Sequence, residues 1–360
     1  MISRVLLLFM MVVYVPSLFA QSPILEDGAI DAVFSTSDST TILFSRGNLQ
    51  YNAALSSHLC ADGISRPGTW RFAPEQYMVS FRDNLNRSAT YDGWIDLFAY
   101  GASGYNGFEP YDRRGTRDTL SYEIIGNLTN TFYDFGVYNA IENGGNEAGI
   151  WRMIQLSEWN YIINQRQNAN SLRAHAVIGG VHGVILLPDD CDLNSLRSIA
   201  NYTTEDYDMN EYSLDEWHKM EALGAVFLPC GNVLSNHRDC RDDLPDELVI
   251  YDYESHPESE YNAAYMVPFT PSPRYTLWNS IFFSATYISS SAYLACSIVG
   301  ISVRLVRDTF NDDSTDEPTV GTRLENNIHD VPQKKIVCGN NVYILNNDKL
   351  YNLLGQEVNL

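Results

Sequence analysis

Two segments of the chain share one pattern, a short helix with a central tryptophan followed by an apolar strand that ends at proline. The first helix begins with Leu156-Ser157-Glu158-Trp159, and its strand is 183–188. The second helix begins with Leu214-Asp215-Glu216-Trp217, and its strand is 224–229. Each apolar run is short and bounded by glycine and proline, which favours a buried strand over a further helix. The pattern therefore predicts two equivalent helix–strand units in one domain.

The start of each helix is predicted from capping residues. Ser157 is expected to cap a helix that runs to about Gln167. Ser213 and Glu216 form the Ser-x-x-Glu capping box of a helix that reaches about Ala222. The tryptophan of each unit falls on the apolar face of its helix, so both rings are expected in the core rather than on a ligand surface.

Turn signals divide the rest of the chain into short segments rich in aromatic and β-branched residues. Short strands separated by such turns are typical of an irregular antiparallel α+β fold with few helices. Another strand, predicted at 300–306, would close the domain. The turn signals lie at 46–48, 92–93, 103–104, 143–145 and 179–180.

The first 20 residues are expected to be a secretory signal peptide. Arg4 gives a positive start, the apolar run 5–15 follows, and the segment 16–20 ends in a small residue. A membrane anchor is the alternative, but it would need about 20 apolar residues to cross a bilayer. We therefore expect cleavage before Gln21 and a mature protein, secreted or at the cell surface, with no membrane span.

The chain is strongly acidic, with a net charge of −22. Phosphates attract lysine and arginine, so this charge disfavours nucleic acid as a partner, and it disfavours anionic membrane surfaces as well. Acidic residues concentrate at 238–260 and 308–317, in stretches typical of solvated loops. Solubility through mutual repulsion is therefore favoured over a focused acidic site.

The cysteines do not form a recognisable metal or disulfide framework. An exported chain can oxidise cysteines, but six of them allow many pairings among which the sequence does not choose. Cys230 and Cys240 are the closest local pair. No CxxC or histidine-rich spacing typical of structural zinc occurs, so no metal or cofactor is expected. The six are Cys60, Cys191, Cys230, Cys240, Cys296 and Cys338.

The composition changes after the domain expected at 21–307. Residues 308–330 are polar and acidic, as is typical of a linker. A small β tail is predicted over 331–360. Its expected strands, the first two of which are joined by a turn at Gly339-Asn340-Asn341, are 334–338, 342–345 and 350–358.

Taken together, several segments resemble one family of exported bacterial domains, the Fibrobacter-type major paralogous domains. The resemblance covers roughly residues 40 to 307. It implies a C-type lectin-like fold, related to that of formylglycine-generating enzymes, with two main helices, small antiparallel sheets and a loop-rich ligand face. Besides the two helix–strand units, the segments that carry it are 47–51, 69–72, 93–98, 134–140, 151–159 and 300–306.

The tail resembles the C-terminal sorting domains of type IX secretion. The residues concerned are Val342-Tyr343-Ile344 and the stretch 351–358. The resemblance implies that the tail contacts a secretion machinery. An ordinary β-hairpin appendage is the alternative.

One uncharged segment in this acidic chain is a candidate ligand surface. Residues 278–293 carry no charged side chain and are rich in serine and aromatic residues. Tyrosine offers a rigid amphipathic surface and serine offers adaptable hydrogen bonds. Related domains carry their binding surface here, although they usually have Trp-Ser-Ser where this chain has Trp278-Asn279-Ser280, and this chain has a long acidic insertion after Pro229. A pair of core strands is the alternative.

Six residues of this segment are expected to contact a ligand. Because alternate residues of a strand face opposite sides, about half of the six are expected to be buried. They are Trp278, Asn279, Ser284, Tyr287, Ser290 and Tyr293.

Other chemistry finds little support in the sequence. Formylglycine generation would need a reactive cysteine pair near the closing strand, where only Cys296 lies. Calcium-dependent sugar binding needs clustered carboxylates and amides, but no acid follows Asn279, and Pro188-Asp189-Asp190 is interpreted as a solvated turn. Glu158 and Glu216 fall in first helical turns, where the helix dipole favours an acid.

The sequence therefore predicts an exported, non-catalytic protein that recognises a glycan or protein ligand at the cell surface. The alternative is a structural or adhesive component of the cell envelope without a small-ligand site. An enzyme of unrecognised type is a third hypothesis.

Overall fold

The chain forms two compact units, Met1–Phe310 and Asn311–Leu360. The structure is a computed structural model. It describes residues 24–80, 82–112, 128–204, 210–231, 233–236, 248–251, 263–268, 278–283, 288–294, 298–309, 334–338, 341–346, 349–352 and 357–358.

The first unit combines small sheets with few helices, which confirms the predicted α+β class. Its strands are β1 (Phe34–Ser35), β2 (Thr41–Phe44), β3 (Leu49–Asn52), β4 (His58–Leu59), β5 (Ser65–Arg66), β6 (Thr69–Phe72), β7 (Leu97–Phe98), β8 (Arg152–Met153), β9 (Arg173–Ile178), β10 (Val181–Leu186), β11 (Glu211–Tyr212), β12 (Val226–Pro229), β13 (Val233–Asn236), β14 (Leu248–Tyr251), β15 (Ala263–Met266), β16 (Trp278–Phe283), β17 (Ile288–Leu294), β18 (Ile298–Ser302) and β19 (Leu305–Asp308).

Two of the four α-helices in the described part of this unit were predicted, and the other two were not. Helix α2 continues into a π-helical turn, Tyr161–Gln165. Single 3-10 turns lie at Asp83–Leu85, Tyr105–Gly107 and Ala169–Ser171. The α-helices are α1 (Phe135–Tyr138), α2 (Leu156–Asn160), α3 (Leu193–Ala200) and α4 (Leu214–Glu221).

Helix α2 begins two residues earlier than predicted. Its N-cap is Gln155, not Ser157, because Glu158 folds back and its Oε2 accepts the Gln155 backbone N–H at 2.7 Å. The π-helical turn ends at Gln165, before the predicted Gln167, because the backbone of Arg166 leaves the helical region at φ −58° and ψ 157°.

Helix α4 begins and ends as predicted. The Ser213 hydroxyl accepts the Glu216 backbone N–H at 3.4 Å, and Glu216 Oε2 accepts the Ser213 backbone N–H at 2.9 Å. The box thus satisfies two backbone donors, one from the open first turn of the helix and one from the capping residue itself.

Removing this cap should weaken the first unit measurably. We expect Ser213→Ala to lower the free energy of unfolding by about 1 kcal/mol, because a first-turn N–H loses its acceptor. Urea unfolding followed by far-UV circular dichroism measures the change. Ser213→Asp, which restores an acceptor, is the matched control. Equal stability of the alanine variant and the parent would contradict the capping role.

Three larger sheets organise the first unit. Their strand orders are β1-β2-β19-β8, then β11-β9-β10-β12, and then β14-β13-β18-β15-β16-β17 with β7 paired to β18. Two short ladders, β3-β6 and β4-β5, complete the described pairing. Strand β2, which lies early in the chain, and β19, the last described strand of the unit, are neighbours in one sheet.

The two predicted helix–strand units meet in a single sheet. Strands β10 and β12 pair antiparallel, with Ile185 opposite Phe227. The β9–β10 hairpin turns at Gly179 and Gly180, whose φ values of 56° and 84° suit a two-residue turn with left-handed backbone. The repeated pattern in the sequence therefore builds two adjacent strands.

Both tryptophans of the repeated pattern are core residues, as predicted. Trp159 is 0% exposed and lies 5.7 Å, ring centre to ring centre, from Phe44. Trp217 is also 0% exposed and lies 5.7 Å from Phe227. The two rings belong to separate apolar clusters that pack on opposite faces of the β10–β12 pair, with Val184 in the cluster of Trp159 and Ile185 in the cluster of Trp217.

The predicted closing strand 300–306 is two strands instead of one. Strand β18 pairs with β7, β13 and β15, whereas β19 pairs with β2 and β8. The chain changes sheet at Val303 and Arg304, where the Val303 carbonyl accepts the Leu49 backbone N–H at 2.9 Å. The buried Arg304 side chain donates to Gln76 Oε1 at 2.8 Å, which ties the corner to the interior.

The second unit is a four-stranded antiparallel meander. The predicted third strand is divided into two, because β22 and β23 pair with each other. The strands, which pair in chain order, are β20 (Lys334–Cys338), β21 (Asn341–Asn346), β22 (Lys349–Asn352) and β23 (Glu357–Val358).

Several predictions fall on residues outside the described ranges. They include the signal peptide at 1–20, the Cys230–Cys240 pairing and all but the first two residues of the linker at 308–330. Among the described residues, the structure has no helix with the length and apolar character needed to cross a membrane.

Candidate functional site

The uncharged segment forms a hairpin at one end of the largest sheet. Strand β16 pairs with β15 on one side and with β17 on the other, and β17 is the terminal strand of the described order. Helix α2 lies close to both strands of the hairpin. The hairpin is therefore held from the side by β15 and is covered in part by a helix whose tryptophan is buried.

The register divides the predicted contact residues between the two faces of the hairpin. Asn279 is opposite Tyr293, so these two positions share a face, and Trp278, opposite Leu294, belongs to the other face. The pairing shifts between Ser280 and Phe282, and Ser290 lies at this irregularity. Ser284 and Tyr287 lie outside the described residues.

A shallow depression elsewhere on the first unit is lined by tyrosines. Its space, about 140 Å³ including open solvent, is too small and too open to enclose a small molecule. Burial, and then the nearby Glu109 carboxylate, raise the pKa of Tyr51. The depression is not apparent in the sequence, because its lining residues come from positions between 51 and 111 that are far apart in the chain. Its lining residues include Tyr51, Arg87, Tyr91 and Tyr111.

An arginine–tryptophan stack lies beside this depression. The Arg71 guanidinium carbon is 3.6 Å from the centre of the Trp94 ring, and Arg71 Nε donates to Gln50 Oε1 at 3.0 Å. Burial lowers the pKa of Arg71, and Glu142 opposes that shift. Trp94 immediately follows Gly93 in the wall of the depression. The stack fixes a half-buried aromatic ring near a tyrosine-rich surface.

A cysteine, a histidine and an asparagine meet around strand β4, but their geometry is that of a structural cluster. Cys60 Sγ is 3.4 Å from His58 Nε2, and the same nitrogen is 2.8 Å from Asn139 Oδ1. The Asn139 amide nitrogen donates to two backbone carbonyls at 3.0 Å, which fixes Oδ1 toward the imidazole. Burial raises the pKa of the Cys60 thiol to about 11, which disfavours a thiolate nucleophile.

Asp189 lies in an exposed turn, as predicted, and its carboxylate also anchors that turn to β1. Its Oδ1 accepts from Arg166 Nη1 at 2.9 Å, and the side chain of that arginine is only 2% exposed. Its Oδ2 accepts from the Ser35 backbone N–H at 2.7 Å and from the Ser35 hydroxyl. These contacts join β1 to the segment after β10, so the carboxylate is engaged by protein donors.

The two helix acids also have structural partners. Glu158 receives two N–H groups of Arg152 at 2.8 and 2.7 Å, in addition to the Gln155 backbone N–H. Glu216 receives the Ser213 hydroxyl and backbone N–H. The first-turn interpretation from the sequence is thus supported by contacts that occupy both carboxylates.

One group of side chains with metal-ligating atoms converges at the end of helix α4. Glu75, His218 and Glu221 each offer one such atom, and these atoms all lie within 4.8 Å of one another. Glu75 follows strand β6, whereas the other two residues are three positions apart on α4. Among the described residues, no other group of three or more histidines, cysteines or acids meets this spacing.

Comparison of the chain with protein-family models, curated proteins and solved structures finds no match. The resemblance to the Fibrobacter-type domains therefore stays a prediction from the residues that carry it.

Proposed function

We propose that the protein is an exported, non-catalytic binding protein that recognises a glycan or protein ligand through the β16–β17 hairpin. One observation carries the proposal. In a chain of net charge −22, the uncharged serine- and aromatic-rich segment forms a paired hairpin at the end of the largest sheet. A surface of this composition would not repel an acidic ligand as the rest of the chain does. It would offer rigid aromatic rings for contact and serine hydroxyls for hydrogen bonds.

The proposal includes a C-type lectin-like fold for the first unit. Support comes from the two helices with buried tryptophans, from the small antiparallel sheets, and from the many irregular connections between them. The pairing of β2 with β19, which joins an early and a late strand of the unit in one sheet, fits a self-contained binding module. In this proposal, ligand specificity comes from the side chains of the hairpin and not from the fold that carries it.

The register of β16 and β17 suggests which residues would contact a ligand on each face of the hairpin. A sugar ring stacks on an aromatic face, which Trp278 can supply from one side of the hairpin. Asn279 and Tyr293 are cross-strand partners on the other side, where amide and phenol groups suit hydrogen bonds to a polar ligand or a peptide. Because the two sets occupy opposite faces, substitutions on one face should leave the other intact.

A glycan array, followed by titration of any ligand found, tests the proposal. We expect either Trp278→Ala or the pair Asn279→Ala with Tyr293→Ala to weaken binding at least about tenfold, because truncating an anchor residue of an interface costs about 2 kcal/mol or more. The face whose substitution has the effect is the ligand face. Binding should also survive EDTA, because the segment has no carboxylate to hold calcium.

The matched control for these variants is Leu59→Ala, which removes an exposed apolar side chain outside the hairpin. Its affinity should equal that of the parent. A ligand whose affinity is unchanged by both hairpin substitutions would place the site elsewhere, either in the acidic insertion at 236–260 or around the Arg71–Trp94 stack.

The position of β17 favours one alternative function. Among the described strands, β17 pairs with β16 alone, and a terminal strand can add a strand from another chain. A structural or adhesive component of the cell envelope would use this edge for assembly. Concentration-dependent association in sedimentation experiments, abolished by proline at Ser290, would favour this alternative over ligand recognition by a monomer.

A further inference from the structure

Three side chains near the end of helix α4 converge on one point. His218 and Glu221 are spaced by three residues, which places them on the same side of the helix. Glu75 approaches from the segment after β6, with its Oε2 3.9 Å from His218 Nε2. The three ligating atoms lie within 4.8 Å of one another, so small side-chain rotations would bring each to the roughly 2.0–2.2 Å from one ion that is typical of zinc ligands.

The deepest of these groups is oriented by a buried amide. Glu221 Oε1 accepts a hydrogen bond from Gln76 Nε2 at 2.9 Å, and Gln76 is 0% exposed. Gln76 is itself fixed, because Nε2 also donates to the Ala225 carbonyl and Oε1 accepts from the Phe227 backbone N–H and from Arg304. This is the kind of outer support that orients carboxylates in metal sites.

The charges of the group favour a cation. Glu75 and Glu221 place two carboxyl groups beside the His218 imidazole, with their ligating atoms within 4.8 Å of one another. Two carboxylates are thus held together, and the imidazole beside them carries charge only when protonated. A bound dication would offset this repulsion without requiring a proton.

We propose that Glu75, His218 and Glu221 bind one divalent transition-metal ion of the zinc class. One imidazole and two carboxylates suit zinc and its neighbours in the first transition series, whereas calcium and magnesium prefer oxygen ligands alone. The ion would fasten the end of helix α4 to the segment before Gln76. The site uses no residue of the β16–β17 hairpin, so it is independent of ligand recognition there.

Calorimetric titration of the purified, EDTA-treated protein with ZnCl₂ tests this site. We expect saturable binding in the parent, and at least about tenfold weaker binding in His218→Ala and in Glu75→Gln, since even outer-shell partners cost about 10- to 100-fold when lost. Both side chains are partly exposed, at 50% and 40%, so these variants should fold. Glu147→Gln, which removes an exposed acid elsewhere, is the charge-matched control and should bind like the parent.

Two further measurements make the result specific. Zinc should raise the melting temperature of the parent and of Glu147→Gln more than that of His218→Ala. Co²⁺ bound to the parent should lack the intense near-ultraviolet band of cobalt–thiolate bonds. Absence of saturable zinc binding, equal affinity of the parent and His218→Ala, or a strong thiolate band would each overturn the proposal.

Discussion

Replacing Trp217 by alanine is expected to destabilise the first unit by about 3–5 kcal/mol, the range for removing a large aromatic side chain from a core. The ring is 0% exposed and belongs to the cluster between helix α4 and the β11-β9-β10-β12 sheet. Its close neighbours include Phe227 of β12, which is also 0% exposed. Loss of the ring leaves a cavity between helix α4 and the sheet, and closing it would require the helix and the sheet to move toward each other.

Urea unfolding followed by circular dichroism at several wavelengths measures this effect. Lys219→Ala is the matched control, because Lys219 is exposed two residues further along the same helix and its loss should change stability by less than about 0.5 kcal/mol. A shift of the midpoint with an unchanged slope is the expected signature. A Trp217→Ala variant as stable as Lys219→Ala would show that the ring does not hold the helix to the sheet.

Helix α4 could be predicted from the sequence because the signals for it lie within a few residues of one another. Ser213 and Glu216 lie three residues apart, and Trp217 follows at once, so cap, dipole and apolar face agree within a few positions. The same local reasoning placed β10 and β12, whose apolar runs are bounded by glycine and proline. It missed helix α3, although Asp192 accepts from the Asn194 backbone N–H as an N-cap should.

The prediction of a single closing strand at 300–306 was wrong, because the break in it depends on residues far away along the chain. Nothing in the run 300–306 marks a break, because Val303 and Arg304 alternate apolar and polar positions as any strand does. The break arises because Arg304 bonds to Gln76, which lies far away along the chain. A buried arginine needs acceptors supplied by other elements, and their positions follow only from the complete fold.

The β16–β17 hairpin and the proposed metal site likewise differ in how much of each can be recognised from one segment of the sequence. The uncharged composition of the hairpin is a property of one segment and was visible in the sequence. His218 and Glu221 also form a visible local pair, but Glu75 joins them only through the path of the chain between β6 and α4. A metal site of this kind has no contiguous motif, which is why cysteine and histidine spacing gave no sign of it.

The stability of the first unit should carry an unusual pH dependence that originates in its interior. Asp96 is 1% exposed; its Oδ2 accepts the Ser80 backbone N–H at 2.7 Å and its Oδ1 accepts from Asn84 Nδ2 at 2.8 Å. Burial raises the pKa of Asp96 to about 6, against the opposing effect of these hydrogen bonds. Burial likewise raises the pKa of Asp134 to about 6, although two backbone N–H groups bond to its carboxylate.

The direction of the effect follows from proton linkage. A carboxyl group whose pKa is higher in the folded state than its ordinary 3.8 binds its proton more tightly when folded. Its contribution to stability is therefore complete below about pH 4 and is lost as the pH rises through about 6. For one such aspartate the loss is about 3 kcal/mol, at about 1.4 kcal/mol for each unit of pKa.

The variant Asp96→Asn isolates this contribution, because its amide has a similar shape and does not titrate. Acids such as the half-buried Asp62 and the exposed Asp192, whose pKa values are lowered, act in the opposite direction, so the parent curve alone mixes both effects. The difference in unfolding free energy between variant and parent should move in favour of the variant by about 2 kcal/mol from pH 4 to pH 7. Asp31→Asn, at an exposed position, is the control substitution. A difference that moved toward the parent instead would mean that hydrogen bonds to the ionised Asp96 outweigh the cost of burying its charge.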